Sequence, residues 1–268
     1  MCPNCRAFIT TADRVCPYCN EPVGPRYVER QPDMKIGGLI PQAQFTTVLI
    51  LLINAGLFVA TQWLSSNGMG QNIALWALGG KYGPSIWQEH QWWRLVTAGF
   101  LHGGVMHILM NSWALYQLGA QVEELFGTAR YLTIYFCSTV GGFYLSARVN
   151  QGLSIGSSAG IAGLIGAMIA FGVINRSTVG RMIRNFYLQS VVYMIAIGLL
   201  PGIDNWAHLG GITVGFAVAY LAGTPIHSTR PKEAMWRVLG AACILVTVFC
   251  FLMVYAHYPG PDQINQLR

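Results

Sequence analysis

The feature that most constrains this chain is where its charges are missing. Intervals such as 36–80, 104–122, 131–147, 149–175, 185–203, 205–229 and 238–261 contain no Asp, Glu, Lys or Arg. A helix needs roughly 20 apolar residues to cross about 30 Å of hydrocarbon. Seven such crossings fit the intervals, at about 45–64, 104–122, 130–148, 157–175, 183–201, 205–223 and 236–257. Helices are expected because lipid offers the backbone no hydrogen-bond partner. Only 10% of the residues are charged and 53% are hydrophobic, whereas a soluble domain carries about a quarter charged residues. An all-α membrane protein is therefore expected. The competing reading, a very hydrophobic soluble bundle, fits these segment lengths poorly.

Lys and Arg set the expected orientation. With the N-terminus inside, the inner segments hold Arg6, Arg14, Arg26, Arg30, Lys35, Arg130, Arg176, Arg181, Arg184, Arg230, Lys232 and Arg237. The outer segments hold Lys81, Arg94, Arg148 and Arg268. The net charge of +6 then reads as topology and contact with anionic lipid. No motif points to nucleic acid. The polar, cysteine-rich start argues against a cleavable signal peptide.

That start reads Cys2-Pro-Asn-Cys5, then Cys16-Pro-Tyr-Cys19. Two CxxC turns, each gripping with two thiolates, complete a tetrahedral zinc site, and metal binding supplies folding energy to so short a segment. A thioredoxin-type redox pair is a rival reading of CPYC, as are disulfides in an oxidising compartment and a chance cluster. The expected zinc ligands are Cys2, Cys5, Cys16 and Cys19. Cys137, Cys243 and Cys250 fall within crossings and read as small buried hydrophobes.

Polar and ionisable groups inside crossings are expensive, so each is a functional candidate. Gly156-Ser157-Ser158-Ala159-Gly160 fits G-x-S-x-G at the start of the fourth crossing. There Ser158 would meet free N–H groups and the positive end of the helix dipole. A Gly/Ser-rich packing face is the alternative. His208 stands near the outer end of the sixth crossing, with Gly211 and Gly215 on its face. A serine and a histidine on helices separated only by glycine can reach hydrogen-bond distance, as a nucleophile and its base require. His208 has a packing role as its alternative. On the second crossing His107 and Asn111 are one turn apart and can donate to a developing oxyanion, or simply bond between helices.

With these three sites placed, the chain resembles the rhomboid family of intramembrane proteases over about residues 45–223. The resemblance rests on the G-x-S-x-G serine, on Ala207-His208-Leu209-Gly210-Gly211, matching A-H-x-x-G, and on His107-x-x-x-Asn111. Trp93-Arg94 looks like the family's first-loop signature, and Glu123 like its helix-two carboxylate. The resemblance implies a six-helix core, here followed by a seventh helix and preceded by the knuckle. It also implies that Ser158 and His208 are catalytic and that His107 and Asn111 form the oxyanion site. The family often has an aromatic four residues after the nucleophile, and this chain has Ala162 there.

Together these readings predict a four-cysteine knuckle at 1–24, a linker at 25–43, a transmembrane domain at 44–258 and a short tail at 259–268. The expected function is serine endopeptidase cleavage of transmembrane segments. The alternative is a catalytically silent rhomboid-like protein that binds membrane clients. Structural zinc would be the one cofactor, with none for catalysis. Expected partners are transmembrane substrates, the lipid bilayer and a cytoplasmic partner of the knuckle. The expected location is a bacterial or archaeal plasma membrane. Asp204, four residues before His208, reads either as the N-cap of the sixth crossing or as a carboxylate reaching the imidazole. The first loop, 65–103, carries four tryptophans suited to the membrane interface.

Overall fold

The computed structural model describes residues 2, 4–5, 7–9, 13, 15–21, 44–225 and 228–260. The expected linker at 25–43 and most of the tail at 259–268 lie outside these residues. The chain divides into two compact units, Met1–Gln42 and Ala43–Arg268. Among the described residues the second unit is built of helices, with one isolated antiparallel bridge between Lys81 and Ser154. Its helices are α1 (Phe45–Leu64), α2 (Gln71–Ala77), α3 (Gly83–Trp87), α4 (Arg94–Thr97), α5 (Val105–Phe126), α6 (Thr128–Val149), α7 (Ser158–Ile174), α8 (Thr178–Ile197), α9 (Asn205–Ala222) and α10 (Arg230–Ala256).

The seven long helices match the seven charge-free crossings. One displacement is at α8, which begins at Thr178 rather than near 183. Ser177 accepts a hydrogen bond from the Gly180 N–H and so caps the helix early. The arginines of its first turns project from a surface helix, on which only Gly180 and Tyr187 are buried. α10 likewise starts six residues early, with Pro231 in its first turn, a position where the missing N–H costs nothing. The first loop, 65–103, carries helices of its own. It folds into α2, α3 and α4, with a wide turn at Ser65–Met69 that ends α1.

α7 is the central helix. Every residue from Ala159 to Gly172 is buried, so this helix is apolar all round, as a fully enclosed one must be. α6 and α9 lie against it through glycine. A Cβ on Gly211 would fall 2.2 Å from the Ala159 carbonyl oxygen, and one on Gly166 would fall 2.3 Å from that of Ile212. Close backbone approach of this kind is how helices associate where lipid removes the hydrophobic drive. Around this core, α1, α5, α8 and α10 turn large apolar side chains outward, among them Leu52, Trp63, Met106, Trp113, Val192, Tyr193, Leu245 and Tyr255. A soluble surface does not present so much contiguous apolar area.

Candidate active site

Ser158 opens α7, and Gly156 two residues earlier has φ +124°. Only glycine adopts that conformation without strain. The turn delivers the Ser158 side chain beside the first N–H groups of α7, which have no partner inside the helix. His208 lies in the first turn of α9, behind Asp204 as N-cap. The Asp204 Oδ1 accepts from the Ala207 N–H at 3.1 Å. The two elements meet where His208 Nε2 lies 3.0 Å from Ser158 Oγ. His208 Nδ1 is buried with no hydrogen-bond partner among the described residues. Asp204 is thus bonded as a cap and not to the imidazole.

α5 brings His107 to the same place. A Cβ on Gly156 would stand 2.7 Å from His107 Nε2 and 3.6 Å from Ser158 Oγ. The space above Gly156 is therefore flanked by the imidazole on one side and the serine on the other. The Gly103 N–H points to His107 Nδ1 at 3.5 Å. With Nδ1 as acceptor, Nε2 carries the proton and faces the site as a donor. Asn111, one turn on, is buried on the same helix. Ala162, where the family often has an aromatic, is fully buried, and its methyl faces Gly211 of α9.

The residues flanking the site are held by buried polar contacts. Ser157, next to the nucleophile, is completely buried, with its hydroxyl 3.3 Å from His102 Nε2. Arg94 is buried in the first loop. It donates to the carbonyls of Trp76 at 2.6 Å and Gly80 at 2.9 Å, and its guanidinium lies 5.0 Å from the Trp76 ring centre. Glu123 accepts from Thr47 of α1 at 3.3 Å and from Thr128 of α6 at 3.0 Å, joining three helices at the end of α5. Lys81 is fully buried at the junction of three loops. The one sequence signal for it is position: it ends the longest charge-free interval, inside Gly-Gly-Lys-Tyr-Gly.

Residues 89–225 match the family model described as Rhomboid domain. The chain belongs to the rhomboid family. It is similar to "RHOMBOID-like protein 1" of Arabidopsis thaliana, 38% identical over 50% of this chain and 35% of that protein. Similarity to "Rhomboid protease GluP" of Bacillus subtilis runs at 30% identity over 77% of this chain and 41% of that protein. "Rhomboid-like protease 3" of Toxoplasma gondii is 29% identical over 76% of this chain and 79% of its own length. The chain spans 35–45% of the length of the first three curated relatives. Rhomboid proteins are integral to the membrane, which accounts for the outward apolar faces, and relatives such as these two are named as proteases.

The first unit holds the other cluster. The Sγ atoms of Cys2, Cys5, Cys16 and Cys19 all lie within 4.8 Å of one another. Cys2–Cys19 and Cys5–Cys16 are each 3.6 Å apart, too long for a disulfide of about 2.05 Å. Four thiolates about 2.3 Å from one tetrahedral ion stand close to 3.8 Å apart, so the donor set fits zinc. The two CxxC turns also repeat each other. The Cys2 N–H bonds the Ala7 carbonyl and the Cys16 N–H bonds that of Glu21, both at 2.9 Å. Of the remaining cysteines, Cys250 is buried, while Cys137 and Cys243 are half-buried.

Proposed function

We propose that this chain is an intramembrane serine endopeptidase that cuts transmembrane segments with Ser158 as nucleophile and His208 as base. The observation that carries the reading is the 3.0 Å separation of His208 Nε2 and Ser158 Oγ, set beside a donor-lined space over Gly156. In this mechanism Nε2 accepts the Ser158 proton while Oγ attacks the scissile carbonyl carbon. The carbonyl oxygen, now negative, enters the space over Gly156. It is met there by the N–H groups of the α7 N-terminus, by His107 Nε2 and by the Asn111 amide. Collapse of the intermediate expels the amine, which takes the proton back from His208. Water then hydrolyses the acyl-enzyme by the same steps in reverse order.

The site stands at helix N-termini rather than at mid-helix, which supports water entry from one face of the membrane. A helical substrate hides its peptide bonds in its own hydrogen bonds, so segments with small or helix-breaking residues near one end are the substrates proposed. Lys and Arg bias supports an N-terminus inside and a catalytic site toward the outer face. The cysteine cluster is proposed to hold one structural zinc ion in a knuckle spanning about 1–24, which recruits a cytoplasmic partner. The ion fixes that fold and takes no part in cleavage.

The test is reconstitution of the wild type and Ser158→Ala with a fluorogenic transmembrane substrate. Cleavage by the wild type alone is expected. Equal cleavage by both proteins, or failure of a fluorophosphonate to label the wild type, would sink the reading.

A further inference from the structure

One buried cation joins the segments that lead into both catalytic helices. Lys81 lies between α2 and α3 and has no solvent exposure. Its backbone pairs with that of Ser154 in both directions, at 3.0 and 2.9 Å. Its Nζ donates to the carbonyls of Asn150 at 2.7 Å and Gly152 at 3.0 Å. The same Nζ lies 3.9 Å from Asp204 Oδ2. Asp204 also accepts from the Ser146 hydroxyl of α6 and caps α9. Ser154 precedes Ser158 by four residues, and Asp204 precedes His208 by four.

An ammonium has three N–H donors, and here two meet carbonyls while the third side faces a carboxylate. The cation thereby supplies the partners that two loop carbonyls would otherwise lack. Burying it is costly unless those partners stay in place, so the loop at 150–154 and the α9 N-terminus are held in one register. Burial pulls the Lys81 ammonium down to about 8, with the Asp204 carboxylate pulling the other way. Hydrogen bonds from Ser146, Ser154 and the Ala207 N–H, with the Lys81 charge, outweigh burial and keep Asp204 below the usual carboxylate range.

We propose that Lys81 and Asp204 form a clamp that positions Ser158 against His208, an inference that rests on the dyad proposed above. Neither residue touches the reacting atoms. Both act through the backbone: Lys81 on the lead-in to α7, Asp204 on the first turn of α9, and their ion pair sets the distance between the two.

The experiment compares wild type, Ser158→Ala, Lys81→Met, Asp204→Asn and the Lys81→Met/Asp204→Asn double variant in reconstituted bilayers. Asn caps a helix as well as Asp does, so Asp204→Asn keeps the cap bond at Oδ1 while it removes the charge and the Oδ2 acceptor that meets Lys81 and Ser146. Each single variant should lose about tenfold or more in kcat with little change in KM, since small misplacements of reacting groups cost up to about 100-fold. The rate of Ser158 labelling by a fluorophosphonate should fall in parallel at temperatures where each variant remains folded, although the melting temperature of the single variants falls because each leaves a buried charge without its partner. The double variant should be no worse than the worse single, because it leaves no unpaired buried charge. Losses that multiply in the double variant would overturn the clamp. So would a wild-type kcat in Asp204→Asn, or a loss that only tracks the unfolded fraction. Cleavage that survives Ser158→Ala would overturn the dyad, and the clamp with it. Ser158-dependent cleavage undiminished in Asp204→Asn would overturn the clamp alone.

Discussion

Gly215 of α9 faces Gly163 of α7 so closely that a Cβ on Gly215 would fall 2.1 Å from the Gly163 carbonyl oxygen. The helices that carry His208 and Ser158 are therefore in backbone contact about two turns below the dyad. Gly215→Val should force them apart. The expected outcome is loss of most cleavage, and of melting temperature, because overpacking a tight site costs about 1–3 kcal/mol or more. Gly56, which meets nothing within 4 Å, is the matched control, and Gly56→Ala should behave as the wild type. Equal behaviour of the two variants in cleavage and melting assays would contradict this account.

The proposed oxyanion site makes a separate demand. His107 and Asn111 stand one turn apart on α5, and the imidazole borders the space over Gly156. A donor that meets only the transition state changes kcat rather than KM. His107→Ala and Asn111→Ala should each lower kcat about 10²–10³-fold, as loss of an oxyanion donor does elsewhere. Steady-state kinetics on one transmembrane substrate decide it. A rise in KM at constant kcat would instead assign these residues to substrate binding.

The knuckle should behave as a metal site independent of the chemistry. Purified protein is expected to carry one zinc ion per chain by elemental analysis. Cys5→Ser/Cys19→Ser should lose it, since four thiolates hold the ion and folding of the segment depends on it. Cleavage in detergent should persist in the metal-free variant. Abolished cleavage in that variant, with the membrane domain still folded, would show that the knuckle takes part in the reaction.

Much of this was legible because lipid is a severe solvent. A membrane helix cannot carry stray charge, so the gaps between Lys35, Lys81, Glu123, Arg148, Arg184, Asp204 and Arg230 mark out crossings directly. The same cost makes Ser158, His208, His107 and Asn111 conspicuous, and the structure brings Ser158, His208 and His107 to one place. The first loop was not legible. Its short helices are held by Arg94 and Lys81 through carbonyl oxygens, and no side-chain pattern records which carbonyl a cation will find. The Lys81–Asp204 pair spans 123 residues, a relationship that only the packed helices create.

Besides its apolar contacts, the seventh helix is tied to the core by a buried arginine that chemistry does not use. Arg130, at the start of α6, is 2% exposed. It makes a two-pronged pair with Glu233 of α10, at 3.0 and 2.8 Å. It also donates to Ser228 at 3.1 Å and to the Ala222 carbonyl at the end of α9 at 3.4 Å, and lies 5.5 Å from the Trp236 ring centre. Planar guanidinium geometry serves these partners at once, which an ammonium cannot do. Arg130→Lys should therefore lower the melting temperature nearly as far as Arg130→Met. Removing one partner of a buried pair costs about 3–5 kcal/mol, and an exposed pair about 0–1. Glu233 is partly exposed, so an intermediate loss is expected. These contacts lie at the opposite end of α6 from Ser146, which bonds Asp204. At temperatures where the variants remain folded, kcat and KM should thus match the wild type. An unchanged melting temperature would show that α10 is docked by its apolar face alone. A fall in kcat without unfolding would show that the seventh helix reaches the active site after all.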